Sequence, residues 1–401
     1  MGLVKDTIKK RIVSINRGVG CCERTQPAHN NPRPPSFWKD EKKQPGYARY
    51  NILMPRVCIV PKVSTGGMAS FRAKFEDGLR KRGMEVTHNP DDDSDALLVI
   101  GGTRHLLSLG RAKRRGLRIA QRLDGVNWVQ RVRWSGLRYS LRAEYGNALL
   151  AFIRNNIADR VVYQSEFIRS WWEDWYGVAR VPGYVILNGV DLDTYAPVGQ
   201  NTPFPYRGQA GHFAISSYPP YRLLVVEGSL AGGLDTGLRA AVQLAEILAE
   251  NFSVELTIAG KVDERTKAHL KKESKIPLEF LGVIPREQIP ELMRSSHLLF
   301  SAEINPPCPN SVIEALACGL PVVGFDTGSL RELVGEDAGR LVPYGGDPWK
   351  LENPDVPSLA EAINEILENQ EQFRAAARKR AEEMLDVNKM VDAYLKVLLE
   401  D

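Results

Sequence analysis

Short apolar runs bounded by turn residues alternate with longer stretches whose apolar positions recur every three or four residues. Residues 57–60 and 322–325 read as buried strands, because their apolar character is continuous rather than alternating, and 96–100, 119–121, 159–164, 223–226, 255–260 and 297–300 read as further strands. Helical spacing predicts helices over 68–82, from a Ser165 cap through Trp171, Trp172 and Trp175, over 235–250, over the eight residues after Asn310, and through 357–400. Gly319 stands where a helix C-terminus favours a left-handed residue. Strands alternating with helices specify doubly wound parallel sheets. The alternation fails over 198–220, which is rich in Pro and Gly. The expected organisation is a basic extension (1–49), an α/β domain (50–197), a linker (198–220), a second α/β domain (221–385) and a terminal helix (386–401) that crosses back to the first domain.

Charge changes this picture. Residues 1–200 hold 33 Lys and Arg against 19 Asp and Glu, whereas the remainder hold 20 against 30. A basic half beside an acidic half predicts an anionic partner for the first domain. Arg111, Lys113, Arg114, Arg115 and Arg118 are expected to join Arg131, Arg133, Arg138 and Arg142 on one surface, or to form an ordinary solvated face. Near the N-terminus, Val4, Ile8, Ile12 and Ile15 among lysines and arginines read as a basic helix lying on a membrane, as a solvated leader, or as a helix packed on the body. Cys21 and Cys22 beside it are an acylation candidate. The five cysteines show no metal-ligand or disulfide spacing and fit a reducing compartment. No apolar run approaches the ~18 residues of a membrane span, so a cytoplasmic protein is expected, peripheral at the inner face of the membrane. Nucleic acid is not expected as a partner, because the basic half carries no recognition motif.

Chemistry concentrates at 301–335. A Pro-rich loop ends at Asn310-Ser311, both good helix caps. A short helix, Gly319, Pro321 and the strand 322–325 follow, then a polar Asp326-Thr327-Gly328-Ser329 loop. This order builds a ligand crevice at the carboxyl edge of a sheet. Ser311-x-x-Glu314 also reads as a capping box, with Glu314 reaching back to the cap amide. Gly66 and Gly67 lie between a strand and a helix, where backbone amides can approach a phosphate, although turns need glycine anyway. Asp91, Asp92 and Asp93 suggest a metal site, but a solvated loop accounts for them better.

Glu314-Ala315-Leu316-Ala317-Cys318-Gly319-Leu320-Pro321-Val322-Val323 resembles the donor-nucleotide signature of family-4 (group 1) retaining glycosyltransferases. The resemblance implies a GT-B fold: two Rossmann-like doubly wound parallel-sheet domains facing a cleft. It gives Glu314 the ribose hydroxyls of the nucleotide, with Asn310 and Ser311 beside it, and gives Gly66 and Gly67 a place near the donor phosphate. Asn188-Gly189-Val190-Asp191 resembles the segment that ends the family's first domain. The family's first glutamate, eight positions before the second, is replaced by Pro306, and Glu303 lies at the wrong spacing. The family's diphosphate-clamping arginine is replaced by Ser229, after Gly228, and no lysine follows Gly232-Gly233. Lys261 is the candidate replacement cation. The loop Arg122-Leu123-Asp124-Gly125 corresponds to one near the reacting sugar. It makes Asp124 the candidate polar group at the reaction centre and Arg122 a phosphate contact, or else it is a plain strand-end turn. His105 is a further candidate.

The expected function is transfer of a sugar from a nucleotide-sugar to a glycan or lipid-linked acceptor, with retention of configuration and without metal or cofactor. The alternative is a catalytically degenerate nucleotide- or glycan-binding protein on the same fold.

Overall fold

Strands whose side chains are buried on both faces need neighbours on both sides, and the fold supplies them in two sheets. The structure, a computed structural model, describes residues 54–62, 66–134, 136–197, 220–230 and 235–400. The basic extension 1–49 with its candidate membrane helix, Cys21 and Cys22, together with Gly232, Gly233 and nearly all of 198–220, lies outside the described residues.

The first sheet is built from β1 (Arg56–Val60), α1 (Gly66–Lys81), β2 (Glu85–Thr87), β3 (Ala96–Ile100), α2 (Leu106–Arg114), β4 (Arg118–Leu123), α3 (Val129–Val132), α4 (Leu137–Asn156), β5 (Arg160–Tyr163), α5 (Glu166–Tyr176) and β6 (Gly183–Val185). Its order is β2-β1-β3-β4-β5-β6, with every pair parallel. The second comprises β7 (Tyr221–Ser229), α6 (Asp235–Leu248), β8 (Val254–Lys261), α7 (Glu264–Glu273), β9 (Leu278–Gly282), α8 (Ile289–Arg294), β10 (Leu298–Phe300), α9 (Asn310–Ala317), β11 (Val322–Phe325), α10 (Leu330–Val334), β12 (Gly339–Val342), α11 (Val356–Glu368) and α12 (Gln370–Met384). Its order is β12-β11-β10-β7-β8-β9, again parallel. β3 is fully buried along its length, as its unbroken apolar run requires. Both sheets therefore turn a carboxyl edge to ligands.

The last helix, α13 (Val387–Leu399), packs on the first domain. Tyr394 lies 5.1 Å from the Phe71 ring and 5.3 Å from Phe75. With Met390, Val391, Val397 and Leu398 it is buried against β1 and β3. Each such side chain contributes about 2 kcal/mol before entropy is counted. The crossing is fixed where the Val190 amide donates to the Leu385 carbonyl and the Val387 amide donates to the Val190 carbonyl, on either side of Asp386. Gly189 is required there, since a Cβ would lie 2.5 Å from the Val387 Cα. Ser165 caps α5 as expected, accepting from the Ile168 amide at 3.2 Å. Among the described residues, no helix is long and apolar enough to cross a membrane.

The expected basic surface divides in two. Arg111 pairs with Asp91, Lys113 with Asp159, Arg115 bonds the carbonyls of Pro90 and Asp91, and Arg118 reaches the end of α13. These cations tie loops together. Arg138 and Arg142 instead remain exposed on α4.

Candidate functional site

α9 begins one residue earlier than its sequence suggests. Pro309 is the cap residue, and its carbonyl accepts from the Ile313 amide at 3.3 Å. No side chain caps the helix. Glu314 is thus its fifth residue, beyond reach of the cap amide, and the capping-box reading is corrected. Ser311 instead directs its hydroxyl to Glu227 at 3.5 Å.

Glu314, 8% exposed, faces the first domain. Its Oε1 lies 3.3 Å from Lys74 Nζ and 3.7 Å from a guanidinium nitrogen of Arg286. Lys74 also donates to the Gly189 carbonyl at 3.0 Å. Burial lowers the Lys74 pKa, and the Glu314 carboxylate opposes that shift. Arg286 bonds Ser70 at 3.1 Å. Near the start of α1, a Cβ on Gly67 would lie 3.8 Å from Asn310 Nδ2. Gly67, Ser70 and Lys74 thus line one face of α1 against Asn310, Arg286 and Glu314. The N-terminal ends of α1 and α9 meet at this seam, and such ends attract anions. Gly66 begins α1 at φ +80°, a value that favours glycine.

Three carboxylates, Glu227, Glu303 and Asp124, lie near enough to act on one another, Glu303 on Glu227 and Asp124 on Glu303. Burial, then Glu303, push Glu227 well above the ordinary carboxylate range, and Ser311 counters them. Burial, then the Asp124 charge, push Glu303 up to about 7. Both side chains keep some solvent contact while protein surrounds most of each. Sequence spacing alone dismissed Glu303. The chain brings it into the site because Asn305 takes φ +53° and the loop after it folds back. That loop is clamped by Ser329 donating to the Pro306 carbonyl at 2.9 Å and by Ser165 donating to Pro307 at 2.7 Å. Gly328, at φ +60°, lies under Pro306, and a Cβ there would sit 2.4 Å from its nitrogen.

Asp124 is held by Arg122 and by Gln164, while its carbonyl accepts from Trp172 Nε1 at 2.8 Å. Arg122 itself is 1% exposed. Its guanidinium also binds Asn188 Oδ1 at 2.9 Å and lies 4.1 Å from the Phe71 ring centre. A phosphate contact at Arg122 therefore does not fit this arrangement: the cation is buried and orients Asp124. His105 is exposed at the start of α2, bonded through its amide to Thr103, and no contact joins it to the other candidates. Gly228 and Ser229 end β7, with Ser229 in register with Lys261 at the end of β8. All three are exposed. Lys74, Arg286 and Glu227 were missed in the sequence because no motif marks them, whereas Glu303 was set aside on its spacing; a cation on the face of the Gly66-Gly67 helix was the one signal available.

Beside the Asp124 loop, Trp128, Phe167, Trp171 and Trp175 meet Trp349 of the second domain around a groove of about 540 Å³. Trp349 stands 4.8 Å from Trp171 and 5.1 Å from Trp128. Asp174 and Arg131 border it.

Residues 221–384 match the family model described as glycosyl transferases group 1. A 2-deoxystreptamine N-acetyl-D-glucosaminyltransferase of Streptomyces fradiae is 28% identical over 107 residues, 26% of this chain and 23% of that protein. A GDP-mannose-dependent alpha-(1-6)-phosphatidylinositol dimannoside mannosyltransferase of Mycobacterium tuberculosis is 24% identical over 226 residues, 56% of this chain and 53% of that protein. The match thus spans about half the length of the second relative and about a quarter of the first. Sucrose-phosphate synthase from Thermosynechococcus elongatus shares the fold at a TM-score of 0.63 and 16% identity, covering 86% of this chain and 98% of that one. HepE of Anabaena, solved with UDP-glucose, shares it at 0.61 and 16%, covering 86% and 100%. The two facing parallel-sheet domains are the GT-B arrangement.

Proposed function

We propose that this chain, whose residues 221–384 match the group 1 glycosyl transferases, transfers a sugar from a nucleotide-sugar to a glycan or lipid-linked acceptor, retaining anomeric configuration. The observation that carries the proposal is the buried Glu314. It lies within the ten-residue match and against the helix that opens with Gly66 and Gly67. The names of two similar proteins, one GDP-mannose-dependent and one solved with UDP-glucose, support a nucleotide-sugar as donor.

In this proposal Glu314 takes the ribose hydroxyls, and Asn310 and Ser311 flank the nucleotide. The diphosphate lies toward the N-terminal ends of α1 and α9, with Gly66, Gly67, Gly228 and Ser229 leaving room for backbone contacts. A departing nucleoside diphosphate develops negative charge. Lys261, Lys74 and Arg286 are the cations assigned to meet it, in place of the missing Arg and Lys pair and without a metal. Glu303 assumes the donor-sugar contact that Pro306 cannot make. With its pKa near 7, it can donate a hydrogen bond to a sugar hydroxyl as well as accept one. Asp124, oriented by Arg122 and Gln164, is the polar group facing the reacting carbon. The tryptophan groove takes the acceptor, whose sugar ring would lie on an indole face.

The test is release of nucleoside diphosphate from UDP-, GDP-, ADP- and TDP-sugars, with product configuration read by NMR. Turnover of one donor, lost in Glu314→Ala and sharply reduced in Lys261→Ala, is expected with or without EDTA. Absence of turnover with every donor and acceptor class would contradict the proposal.

A further inference from the structure

The helix α4 is apolar on its outer face as well as its inner one. Ala143, Asn147, Ala151, Ile153 and Arg154 are buried, and Leu149 and Leu150 pack on the core. Four further large apolar residues face solvent. Leu137 and Leu141 are each 62% exposed, Tyr145 is 55% exposed and Phe152 is 47% exposed. With the exposed Ala148 these fall at intervals of four, four, three and four residues, so they form one stripe. The stripe runs about 22 Å along the helix. It continues at its N-terminal end into Trp134, 78% exposed, and Val132, 44% exposed. Arg104 reaches the Tyr145 ring at 5.9 Å, which places the start of α2 and the 80%-exposed Leu107 alongside. Monomeric proteins rarely leave so continuous an apolar face open.

Charge identifies the occupant. Of the cations near the stripe, Arg131 is held by Glu144, and Arg111, Lys113 and Arg115 are held by Asp91, Asp159 and the carbonyls of Pro90 and Asp91. Arg138 and Arg142 follow the stripe residues Leu137 and Leu141 directly. They are exposed, with no hydrogen bond or ion pair among the described residues. A second protein chain would need acidic residues opposite these arginines. An anionic lipid surface offers acyl chains to Leu, Trp and Phe and headgroups to Arg in one plane. Trp and Tyr are the aromatics that favour that boundary.

We propose that α4, with Trp134 and Leu107, docks the first domain on an anionic lipid bilayer. This deepens the glycosyltransferase proposal, since Arg131 and Val132 line the tryptophan groove and a lipid-linked acceptor would enter it from the membrane side.

The test is co-sedimentation of the full chain with phosphatidylcholine vesicles and with vesicles containing phosphatidylglycerol. Binding to the anionic vesicles is expected, weakened by salt. The Leu137→Asp/Leu141→Asp variant should lose at least tenfold in partitioning, and Arg138→Ala/Arg142→Ala about 25-fold, at about fivefold per arginine. Thermal unfolding and nucleotide-sugar binding of both variants should match wild type, which separates loss of docking from misfolding and from failure of the donor-site proposal. Absence of sedimentation, sedimentation unchanged by Leu137→Asp/Leu141→Asp, or a dimer in light scattering that this variant dissociates would overturn the proposal.

Discussion

The contact between Lys74 and Glu314 joins the two domains at the glutamate proposed to hold the nucleotide, and its removal has a calculable cost. At 3.3 Å the pair's attraction is about 5 kcal/mol for an effective dielectric constant of about 20. Each side chain is 10% exposed, so desolvation offsets most of that gain. Deleting one partner is costlier than the net worth of the pair, because it strands the other charge. Lys74→Met leaves Glu314 with Arg286 at 3.7 Å and should destabilise by about 3 kcal/mol. Glu314→Gln leaves Lys74 its bond to the Gly189 carbonyl and should cost about 2 kcal/mol. In the double variant no charge is stranded, and the cost should again be about 2 kcal/mol, giving a coupling of about 3 kcal/mol. Urea unfolding of the four proteins at neutral pH measures all three terms. Additivity of the single costs to within about 0.5 kcal/mol would refute a direct, buried contact.

Glu303 makes stability depend on pH. Its carboxyl is raised from 4.5 to about 7, so the native state holds a proton that the unfolded chain has released. Stability is complete below the lower value and falls as pH rises through the higher one. The loss is at most about 3 kcal/mol near pH 8. Glu303→Gln should therefore be more stable than wild type near pH 8 and indistinguishable below about pH 4.5 in urea unfolding. Gly328→Ala forces a left-handed alanine into Pro306 and should cost about 3 kcal/mol, read as a lower midpoint in thermal unfolding. If the groove takes the acceptor as proposed, Trp349→Ala should raise the acceptor KM about tenfold while leaving donor hydrolysis unchanged, because its ring belongs to the groove and not to the seam around Glu314.

The two sheets were legible because fully buried strands leave an unbroken apolar run. The runs over 96–100 and 322–325 match Ala96–Ile100 and Val322–Phe325 at both ends. Gly319 marked the end of α9 for a backbone reason, its φ of +68°. Spacing could not reveal Glu303, because counting residues to Glu314 ignores how Asn305 and the prolines turn the chain back. Lys74 and Arg286 were invisible for a similar reason: they reach Glu314 through the tertiary fold, from positions that share no motif with it. Arg122 looked like a free cation at a strand edge, whereas the Phe71 ring and Asn188 enclose it. The basic run 111–118 looked like a partner surface but is consumed by local carboxylates and carbonyls. The α4 stripe escaped notice because apolar residues on the outer face obscure the periodicity that buried ones alone would give.

The central claim is that Glu314 holds the nucleotide of a nucleotide-sugar, and a thermal-shift screen of the purified chain tests it most directly. UDP-, GDP-, ADP- and TDP-sugars are compared on wild type and Glu314→Ala. One donor should raise the wild-type Tm, by the free energy of about 2.7 kcal/mol expected at a ligand concentration of about 100 Kd, and should leave the variant unmoved. A shift of equal size in Glu314→Ala, or no shift with any of the four, would contradict the claim.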